Sequence, residues 1–183
     1  MKVFSHVHKY EFSWEMVSQA LWLKYPNPLA THVLASDILS RTIDSDGILH
    51  TVRLLLKTSS VPSWGKSLIN APEALIVERS SIDPVNRIMT VQTGNISYAG
   101  LIRVVEDQTY QCDPDNLHWY AVFSFFRTIV KTNATFTSKI RWGLRQTLES
   151  FSYSRFKENL LKSTQGIQLI LEKFFAPRTQ PST

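Results

Sequence analysis

Residues 138–175 contain no proline, and this segment constrains the fold of the chain more than any other. Its apolar residues recur every three or four positions, which is the spacing of one face of an α-helix. An unbroken helix of about 38 residues would be about 57 Å long. A helix of that length must lie across a large surface, and the only candidate is a sheet formed by the preceding residues.

The first 130 residues predict about seven short β-strands with turn sequences such as "DSDG", "DPVNR" and "CDPDN" between them. The predicted strands cover residues 2–11, 31–42, 48–58, 74–82, 87–96, 101–110 and 118–130. Their spacing is typical of antiparallel hairpins and not of βαβ units. A short helix interrupts them, with Ser13 as its N-cap and Pro26 at its end. Its apolar face consists of Trp14, Val17, Leu21 and Tyr25.

The predicted fold class is therefore α+β, with a curved antiparallel sheet of about seven strands and a long C-terminal helix packed over it. A single domain is expected over residues 1–176, followed by a flexible tail over residues 177–183. The space between helix and sheet is either filled by large side chains or left as a cavity.

The net charge restricts the partners of such a domain. Twenty Lys and Arg residues against fifteen Asp and Glu residues give a formal charge of +5, which favours nucleic acid, acidic membranes or acidic ligands. No apolar run approaches the roughly twenty residues of a membrane span. The first residues, "MKVFSHVHKYEF", lack the apolar stretch of a signal peptide and the Arg and Ser bias of a transit peptide. Cys112 is the only cysteine, so no intrachain disulfide is expected.

Two basic residues lie on a mixed face of the third predicted strand. In "LHTVRLLLKTSS", Arg53 and Lys57 share one face with Leu55, and neither face is cleanly polar. Either this face is partly buried and turns the two cations inward, or it is an outer face that exposes Leu55.

One row of residues on the long helix changes from apolar to basic. The row consists of Leu144, Leu148, Phe151, Arg155, Asn159 and Lys162. It offers no Asp or Glu, and a buried cation needs a counter-charge, which a bound anion would supply. Alternatively, Arg155 and Lys162 extend along the edge of the packed face and keep their charged ends in water.

A stiff corner follows the first helix, in the sequence "KYPNPLATHVLASDILSR". Pro26 and Pro28 fix φ and disfavour helix, so the corner holds Lys24 at the helix end and sets the direction of the next strand. His32 lies at the start of that strand. It is either a satisfied, partly buried histidine or one of several cationic and donor groups that separate elements bring together.

Catalytic and nucleic-acid functions have weak support in the sequence. No P-loop, dinucleotide fingerprint, nucleophile elbow, HExxH or CxxC motif is present. His6 and His8 share a strand face without an apparent third metal ligand. Asp37, Glu78 and Glu106 are interpreted as outer-face charges. A basic nucleic-acid-binding domain, the alternative from another class, is disfavoured because the basic residues form no run. No enzyme activity, metal or cofactor is expected.

Over nearly its whole length the chain resembles the Ups/PRELI family of mitochondrial intermembrane-space phospholipid carriers. The resemblance is carried by "YPNP" with the following "HVL", "RLLLK" at 53–57, "VPSW" at 61–64, "SIDPVNRIM" at 81–89 and "SYSRFKENLLKSTQG" at 152–166. It implies a START-like fold with a lipid cavity and a phospholipid cargo. It also implies a heterodimer with a small twin Cys-x9-Cys helical protein, and delivery between anionic membrane surfaces.

The resemblance further implies a head-group site and a mobile lid. The head-group residues are Lys24, His32, Arg53, Lys57, Arg155, Asn159 and Lys162. The lid residues are Pro62, Ser63, Trp64, Gly65, Lys66, Ser67, Leu68, Ile69, Asn70 and Ala71. The "THVL" and "RFKEN" sequences resemble the phosphatidic-acid branch, and phosphatidylserine transfer by the same fold is the alternative. Where that branch often has Arg this chain has Lys24, and where it has another lysine this chain has Ser59 and Ser60.

Overall fold

The computed structural model describes residues 1–58, 73–114, 127–140 and 143–175. The strands and helices in these ranges are β1 Lys2–Tyr10, α1 Trp14–Trp22, β2 Val33–Ile43, β3 Leu49–Thr58, β4 Glu73–Asp83, β5 Ile88–Asn95, β6 Ile102–Cys112, β7 Thr128–Ser138 and α2 Leu144–Phe175. The predicted lid at 62–71 and the predicted tail at 177–183 lie outside the described residues.

The strands form one antiparallel sheet in the order β1-β7-β6-β5-β4-β3-β2. The β2–β3 turn forms at the predicted "DSDG" sequence. There Asp44 accepts hydrogen bonds from the amides of Asp46 and Ile48 (3.0 and 2.9 Å), and Gly47 adopts a φ of +79°. Turn chemistry of this kind fixes the register of a hairpin. The predicted antiparallel sheet is confirmed, and β1 and β2 are its two edges.

The last predicted strand ends too early. β7 covers Thr128–Ser138, whereas the sequence predicts a strand over residues 118–130, most of which lie outside the described residues. The inward side chains of β7 include Thr132 and Ala134, which are buried but polar or small. Because these residues give little alternation of apolar and polar side chains, the sequence pattern predicts a strand at the aromatic run "YAVFSFF" instead.

Both helices are shorter than predicted. α1 ends at Trp22 and not at Tyr25, although the rest of its predicted apolar face is buried. α2 begins at Leu144 because β7 continues to residue 138 and Gly143 has a φ of +57°, a left-handed conformation outside any helix. With 32 residues α2 is still about 48 Å long, so the prediction of a long helix is confirmed. Neither described helix is both long and apolar enough to span a membrane.

α2 lies over one end of the sheet, on β1 and β7, and also packs against α1. Two apolar clusters form on this side. The larger contains Tyr10, Trp14, Val17, Ala20, Leu21, Met89, Val91, Tyr110, Val130, Ile167, Ile170 and Leu171. The smaller contains Phe4, Ala134, Phe136 and Leu160. Burial of a large apolar side chain contributes about 1.5–3 kcal/mol, so these clusters hold α2 on the sheet. The inner faces of β3 and β4 lie beyond them.

A buried carboxylate ties the start of α2 to the end of the sheet. Glu149 accepts hydrogen bonds from the amide of Ser138 (3.0 Å) and from Arg145 Nε (3.2 Å), and it pairs with the α-amine of Met1 (3.0 Å). Burial raises the pKa of a carboxyl, but these hydrogen bonds and charges outweigh burial and lower the pKa of Glu149 to about 2. The ionised carboxylate therefore fixes the N-terminal end of α2 beside β7.

The proline corner after α1 packs directly on α2. Asn27 is buried, and its Oδ1 accepts a hydrogen bond from the amide of Leu29 (2.8 Å). A Cβ atom added at Gly166 of α2 would lie 2.6 Å from Nδ2 of Asn27. Only a glycine lets the corner approach the helix this closely. The contact holds the residues that follow α1 at a fixed place beside α2.

We expect Gly166→Ala to lower the free energy of unfolding by about 1–3 kcal/mol, the usual range for overpacking a filled site. In an open part of a helix the same change would stabilise by about 1 kcal/mol, so the sign of the effect tests the contact. Chemical denaturation provides the measurement. Asn27→Ala deletes the atoms that the new Cβ meets, so Gly166→Ala should cost much less when it is made in an Asn27→Ala protein than in the unaltered one. An equal cost in both proteins would contradict the close approach.

Candidate functional site

The third strand carries its basic residues on the inner face of the sheet. Thr51, Arg53 and Leu55 are 2%, 4% and 1% exposed, and Lys57 is half-buried. Residues two apart in a strand share a face. The partly buried face is therefore confirmed, and the alternative with an exposed Leu55 is wrong.

A carboxylate on the neighbouring strand holds Arg53. Its register partner on β4 is Glu78, which is 3% exposed. Arg53 donates from Nε to Glu78 Oε1 (2.8 Å), and its Nη2 contacts the same oxygen. The guanidinium also stacks on the Trp22 ring, 4.9 Å from the ring centroid. The interpretation of Glu78 as an outer-face charge is wrong, because its inward position is stabilised by the opposite charge of Arg53.

Glu106 is a second inward carboxylate, so its interpretation as an outer-face charge is also wrong. It lies on β6 between Thr93 of β5 and Ala134 of β7. Burial raises the pKa of Glu106, whereas the positive charges of Lys24 and Lys57 act in the opposite direction. No buried side-chain oxygen among the described residues lacks a hydrogen-bond partner. The Glu106 carboxylate oxygens, which make no hydrogen bond to a described residue, therefore keep some accessible surface on the inner face.

Lys24 approaches these carboxylates from the corner after α1. Its side chain is buried, and its Nζ lies 5.2 Å from the ring centroid of Tyr25. Burial lowers the pKa of a lysine, but the negative potential of Tyr25, Glu78 and Glu106 outweighs burial and raises the pKa of Lys24. Lys24 is therefore charged although it is buried.

His32 lies among three lysines. Its carbonyl accepts a hydrogen bond from the amide of Thr58 (2.8 Å), which places it beside the end of β3. Partial burial and the positive charges of Lys57, Lys162 and Lys24 lower the pKa of His32 to about 4. The imidazole is therefore neutral at pH 7 and offers one N–H donor and one acceptor nitrogen.

Separate elements thus bring seven side chains together, which we call the charge cluster. Its members are Lys24, His32, Arg53, Lys57, Glu78, Glu106 and Lys162. Four cations face two carboxylates, so the cluster has an excess of two positive charges when His32 is neutral. An excess of fixed positive charge on a partly enclosed surface favours a bound anion.

Two of the predicted head-group residues lie outside the charge cluster. Arg155 is exposed, pairs with Glu158 of the same helix (3.1 Å), and lies 5.6 Å from the ring centroid of Phe151. Asn159 is exposed one turn further along α2. Within the part of the chain that the structure describes, no recorded contact joins either side chain to the charge cluster. Their place in a head-group site stays a prediction.

A pH titration of His32 tests how close the lysines are. We expect His32 to stay neutral down to about pH 4 and its pKa to rise toward 6.5 in a Lys57→Met variant. The exposed Lys131 on β7 provides the control, since Lys131→Met should leave the titration unchanged. NMR of the imidazole resonances gives the pKa, and an ordinary value in the unaltered protein would contradict the cluster.

The lowered pKa of His32 also predicts how the stability of the protein changes with pH. Because the pKa of His32 is lower in the folded state than in the unfolded state, the unfolded state binds more protons between about pH 6.5 and pH 4. The contribution of His32 to stability therefore falls as the pH falls through this window.

Two other polar features lie apart from the charge cluster. His6 and His8 stack with ring centroids 6.5 Å apart on the inner face of β1, and no group of three metal-binding side chains occurs among the described residues. A groove of about 400 Å³ lies on the outer face of the sheet, where Arg79 and Asp107 contribute to its lining. The sheet itself separates this groove from the charge cluster.

The two inward carboxylates were missed for an identifiable reason. In "EALIVERSSID" both faces of the strand carry polar residues, so alternation alone does not show which face is inward. A signal was available in the neighbouring strand. A buried Arg53 needs an opposite charge, and Glu78 lies in the middle of the next predicted strand.

The chain is similar to several known proteins over most of its length. The model of the PRELI-like family matches residues 15–177. Protein ups1 homolog of Schizosaccharomyces pombe is 35% identical over 90% of this chain and 92% of that protein. PRELI domain-containing protein 1, mitochondrial, of Gallus gallus is 38% identical over 87% of this chain and 72% of that protein. Protein UPS1, mitochondrial, of Saccharomyces cerevisiae is 33% identical over 92% of this chain and 91% of that protein.

Solved structures share the architecture at much lower identity. TTHA0849 from Thermus thermophilus has a TM-score of 0.61 and 11% identity, over 96% of this chain and 100% of its own. Zhui aromatase/cyclase from a Streptomyces species has a TM-score of 0.56 and 12% identity, over 96% of each chain. These neighbours concern the fold alone, which is START-like as predicted. Because the family model and the relatives cover nearly the whole sequence, this chain belongs to the PRELI-like family.

Proposed function

We propose that this chain carries phosphatidic acid between mitochondrial membranes and binds the lipid head group in the charge cluster. The observation that carries the proposal is the excess of two positive charges in that cluster. A phosphomonoester near pH 7 has a charge between about −1.5 and −2. This is more than the single net negative charge of phosphatidylserine, so the charge cluster attracts phosphatidic acid more strongly. Membership of the PRELI-like family supports lipid transfer, and two of the relatives are named as mitochondrial.

Transfer of this kind makes and breaks no bond. Removing an ionised phosphate from water costs far more than removing acyl chains, so cations and N–H donors must replace the water around the phosphate. Lys24, Lys57 and Lys162 supply charge, and neutral His32 supplies a donor. At the target membrane, anionic lipid attracts a protein of net charge +5 and competes for these contacts.

We further propose that a small twin Cys-x9-Cys helical protein covers the edge strand β2 in the mitochondrial intermembrane space. β2 exposes Leu34, Ile38, Leu39 and Ile43, and among the described strands it pairs with β3 alone. Exposed apolar side chains along an unpaired edge are typical of a contact with another protein. Coexpression with such a partner should raise solubility, and Leu39→Glu should prevent the complex. A stable monomer with full transfer activity would contradict this part of the proposal.

Competition between lipids tests the head-group assignment. The protein is incubated with vesicles that contain equal amounts of phosphatidic acid, phosphatidylserine and phosphatidylglycerol, and the bound lipid is identified by native mass spectrometry. Phosphatidic acid should predominate, and labelled phosphatidic acid should move from donor to acceptor vesicles. A preference for phosphatidylserine would overturn the head-group assignment. Binding of an oligonucleotide at low salt, without lipid transfer, would overturn the carrier function.

A further inference from the structure

Glu106 differs from the other carboxylate of the charge cluster in having no hydrogen bond or ion pair to any residue that the structure describes. Glu78 is held by Arg53 at 2.8 Å, whereas no hydrogen bond or ion pair to another described residue holds Glu106. The Glu106 carboxylate keeps some accessible surface, and the charges of Lys24 and Lys57 act on it. An acid that no other described residue holds is therefore subject to the cations that a phosphate would contact.

The charges that act on Glu106 come from Lys24 of the corner, Lys57 of β3, Glu78 of β4 and Asp107 of β6, and Glu106 in turn acts on Tyr110. The other titratable side chains on the inner side of the sheet are Tyr25 and His32 from the corner, Arg53 from β3, Lys162 from α2, and His6 and His8 from β1. Its direct neighbours on β5 and β7, Thr93 and Ala134, do not titrate. Lys24 and Lys57 favour the ionised carboxylate, while Glu78 and Asp107 oppose it.

Entry of a phosphate reverses this balance. A phosphate that binds between Lys24 and Lys57 neutralises the two charges that keep Glu106 ionised, and it places a new negative charge beside the carboxylate. When two anions share a partly buried site, one of them gains affinity for a proton. A protonated carboxyl also offers an O–H donor to the phosphate, where the carboxylate offers only acceptors. Protonation of Glu106 therefore converts a repulsive contact into a hydrogen bond.

We propose that Glu106 binds a proton when a lipid phosphate enters the charge cluster and releases that proton when the lipid leaves. The proposal rests on the proposed function, since it takes the head group to lie between Lys24 and Lys57. Glu106 is then a specificity-determining residue that lowers the affinity of the charge cluster for anionic head groups as the pH rises. It allows the same cluster both to bind and to release a phosphate.

The pH dependence has a definite sign. A group whose pKa is higher in the complex than in the free protein favours binding at low pH, and affinity falls as the pH rises through that interval. Glu106→Gln removes this dependence and supplies a permanently neutral donor. The variant should bind phosphatidic acid more tightly than the unaltered protein at high pH, by about tenfold for each unit of pKa that the lipid adds. The two proteins should bind equally at acidic pH.

The experiment measures the affinity of the full chain for short-chain phosphatidic acid between about pH 5 and pH 8. Both proteins meet the same lipid, so the ratio of their affinities cancels any titration of the lipid itself. Glu172→Gln is the matched control. It makes the same chemical change at an exposed site near the C-terminal end of α2, where Glu172 Oε1 accepts a hydrogen bond from Gln168 (2.8 Å). Inorganic phosphate is measured in parallel to separate a lipid ligand from free phosphate.

The affinity ratio of Glu106→Gln to unaltered protein should rise from about one at pH 5 to about tenfold or more at pH 8, while the Glu172→Gln ratio stays near one. A ratio independent of pH, or one that Glu172→Gln reproduces, would overturn the proposal and leave lipid binding intact. Failure of the unaltered protein to bind phosphatidic acid would instead overturn the proposed function. Inorganic phosphate that binds as tightly as the lipid would overturn the lipid as ligand.

A second measurement needs no variant. NMR of carbon-13-labelled glutamate in the unaltered protein reports the ionisation of the Glu106 carboxyl directly. Addition of phosphatidic acid at pH 7 should move its resonance to the position of a protonated carboxyl. A resonance that stays at the position of a carboxylate when the lipid is bound would overturn the proposal.

Discussion

Replacing Arg53 with leucine is expected to lower the free energy of unfolding by about 3–5 kcal/mol, the range measured when one member of a buried ion pair is removed. Arg53 and Glu78 are 4% and 3% exposed, so the change leaves Glu78 as a buried charge without its partner. It also removes the guanidinium that stacks on Trp22. Chemical denaturation of the purified protein measures the loss.

Two further variants separate the ion pair from the rest of the site. Arg53→Leu combined with Glu78→Leu should recover most of the stability, because replacing both charges by apolar groups removes the unpaired anion. Arg41→Leu is the matched single change, since the Arg41 guanidinium also lies over the Trp22 ring, at 4.7 Å from its centroid. As an exposed residue it should contribute no more than about 1 kcal/mol. Equal losses from Arg41→Leu and Arg53→Leu would contradict the importance of the buried pair.

Lys162→Glu is expected to slow transfer of phosphatidic acid at least about tenfold per folded molecule, because a lost or reversed charge contact to a bound ligand costs several kcal/mol. The substitution changes the local charge by two and removes the whole positive excess of the charge cluster. Lys162 is exposed on α2, so the fold should survive the change. Transfer between donor and acceptor vesicles is measured together with thermal stability.

Lys157→Glu on the same helix is the control for net charge. Lys157 is also exposed and is absent from the groups that act on His32. The substitution alters the total charge of the protein equally, but it leaves the charge cluster intact, so transfer should stay within about twofold. A similar loss of transfer in both variants would indicate general attraction to acidic membranes and would count against a head-group role for Lys162.

The parts of the site that could be predicted are those that depend on local periodicity. Alternation in "LHTVRLLLKTSS" places Arg53 and Lys57 on one face of the strand. Helical spacing places Lys162 in the row of α2 that begins with the apolar residues Leu144 and Leu148. The proline corner explains why Lys24 is held at the end of α1. Arg53, Lys57 and Lys162 needed only the fixed periods of strands and helices, and Lys24 needed only the conformational restriction that proline imposes.

The carboxylates could not be predicted in the same way, because their role depends on strand register. Glu78 meets Arg53 only because β3 and β4 pair with these two residues opposite each other. Residues 59–72 connect these strands. A connection of that length does not show from its sequence which residue of β3 lies opposite which residue of β4. Glu106 is more remote still, since two further strand pairings place it near Lys57. Long-range pairing of this kind is a property of the folded sheet and not of any segment.

The edge strand β2 contains two irregularities of register, between Val33 and Ala35 and between Ile38 and Ser40. An apolar edge of regular geometry would offer a continuous row of free backbone groups to another chain and would act as a template for fibrils. The irregularities interrupt that row and bend the strand. A newly made chain can therefore expose apolar side chains along β2, and a second copy still cannot form a long row of backbone hydrogen bonds with this edge. Protection against self-assembly comes here from backbone shape, which leaves the side chains free to be apolar.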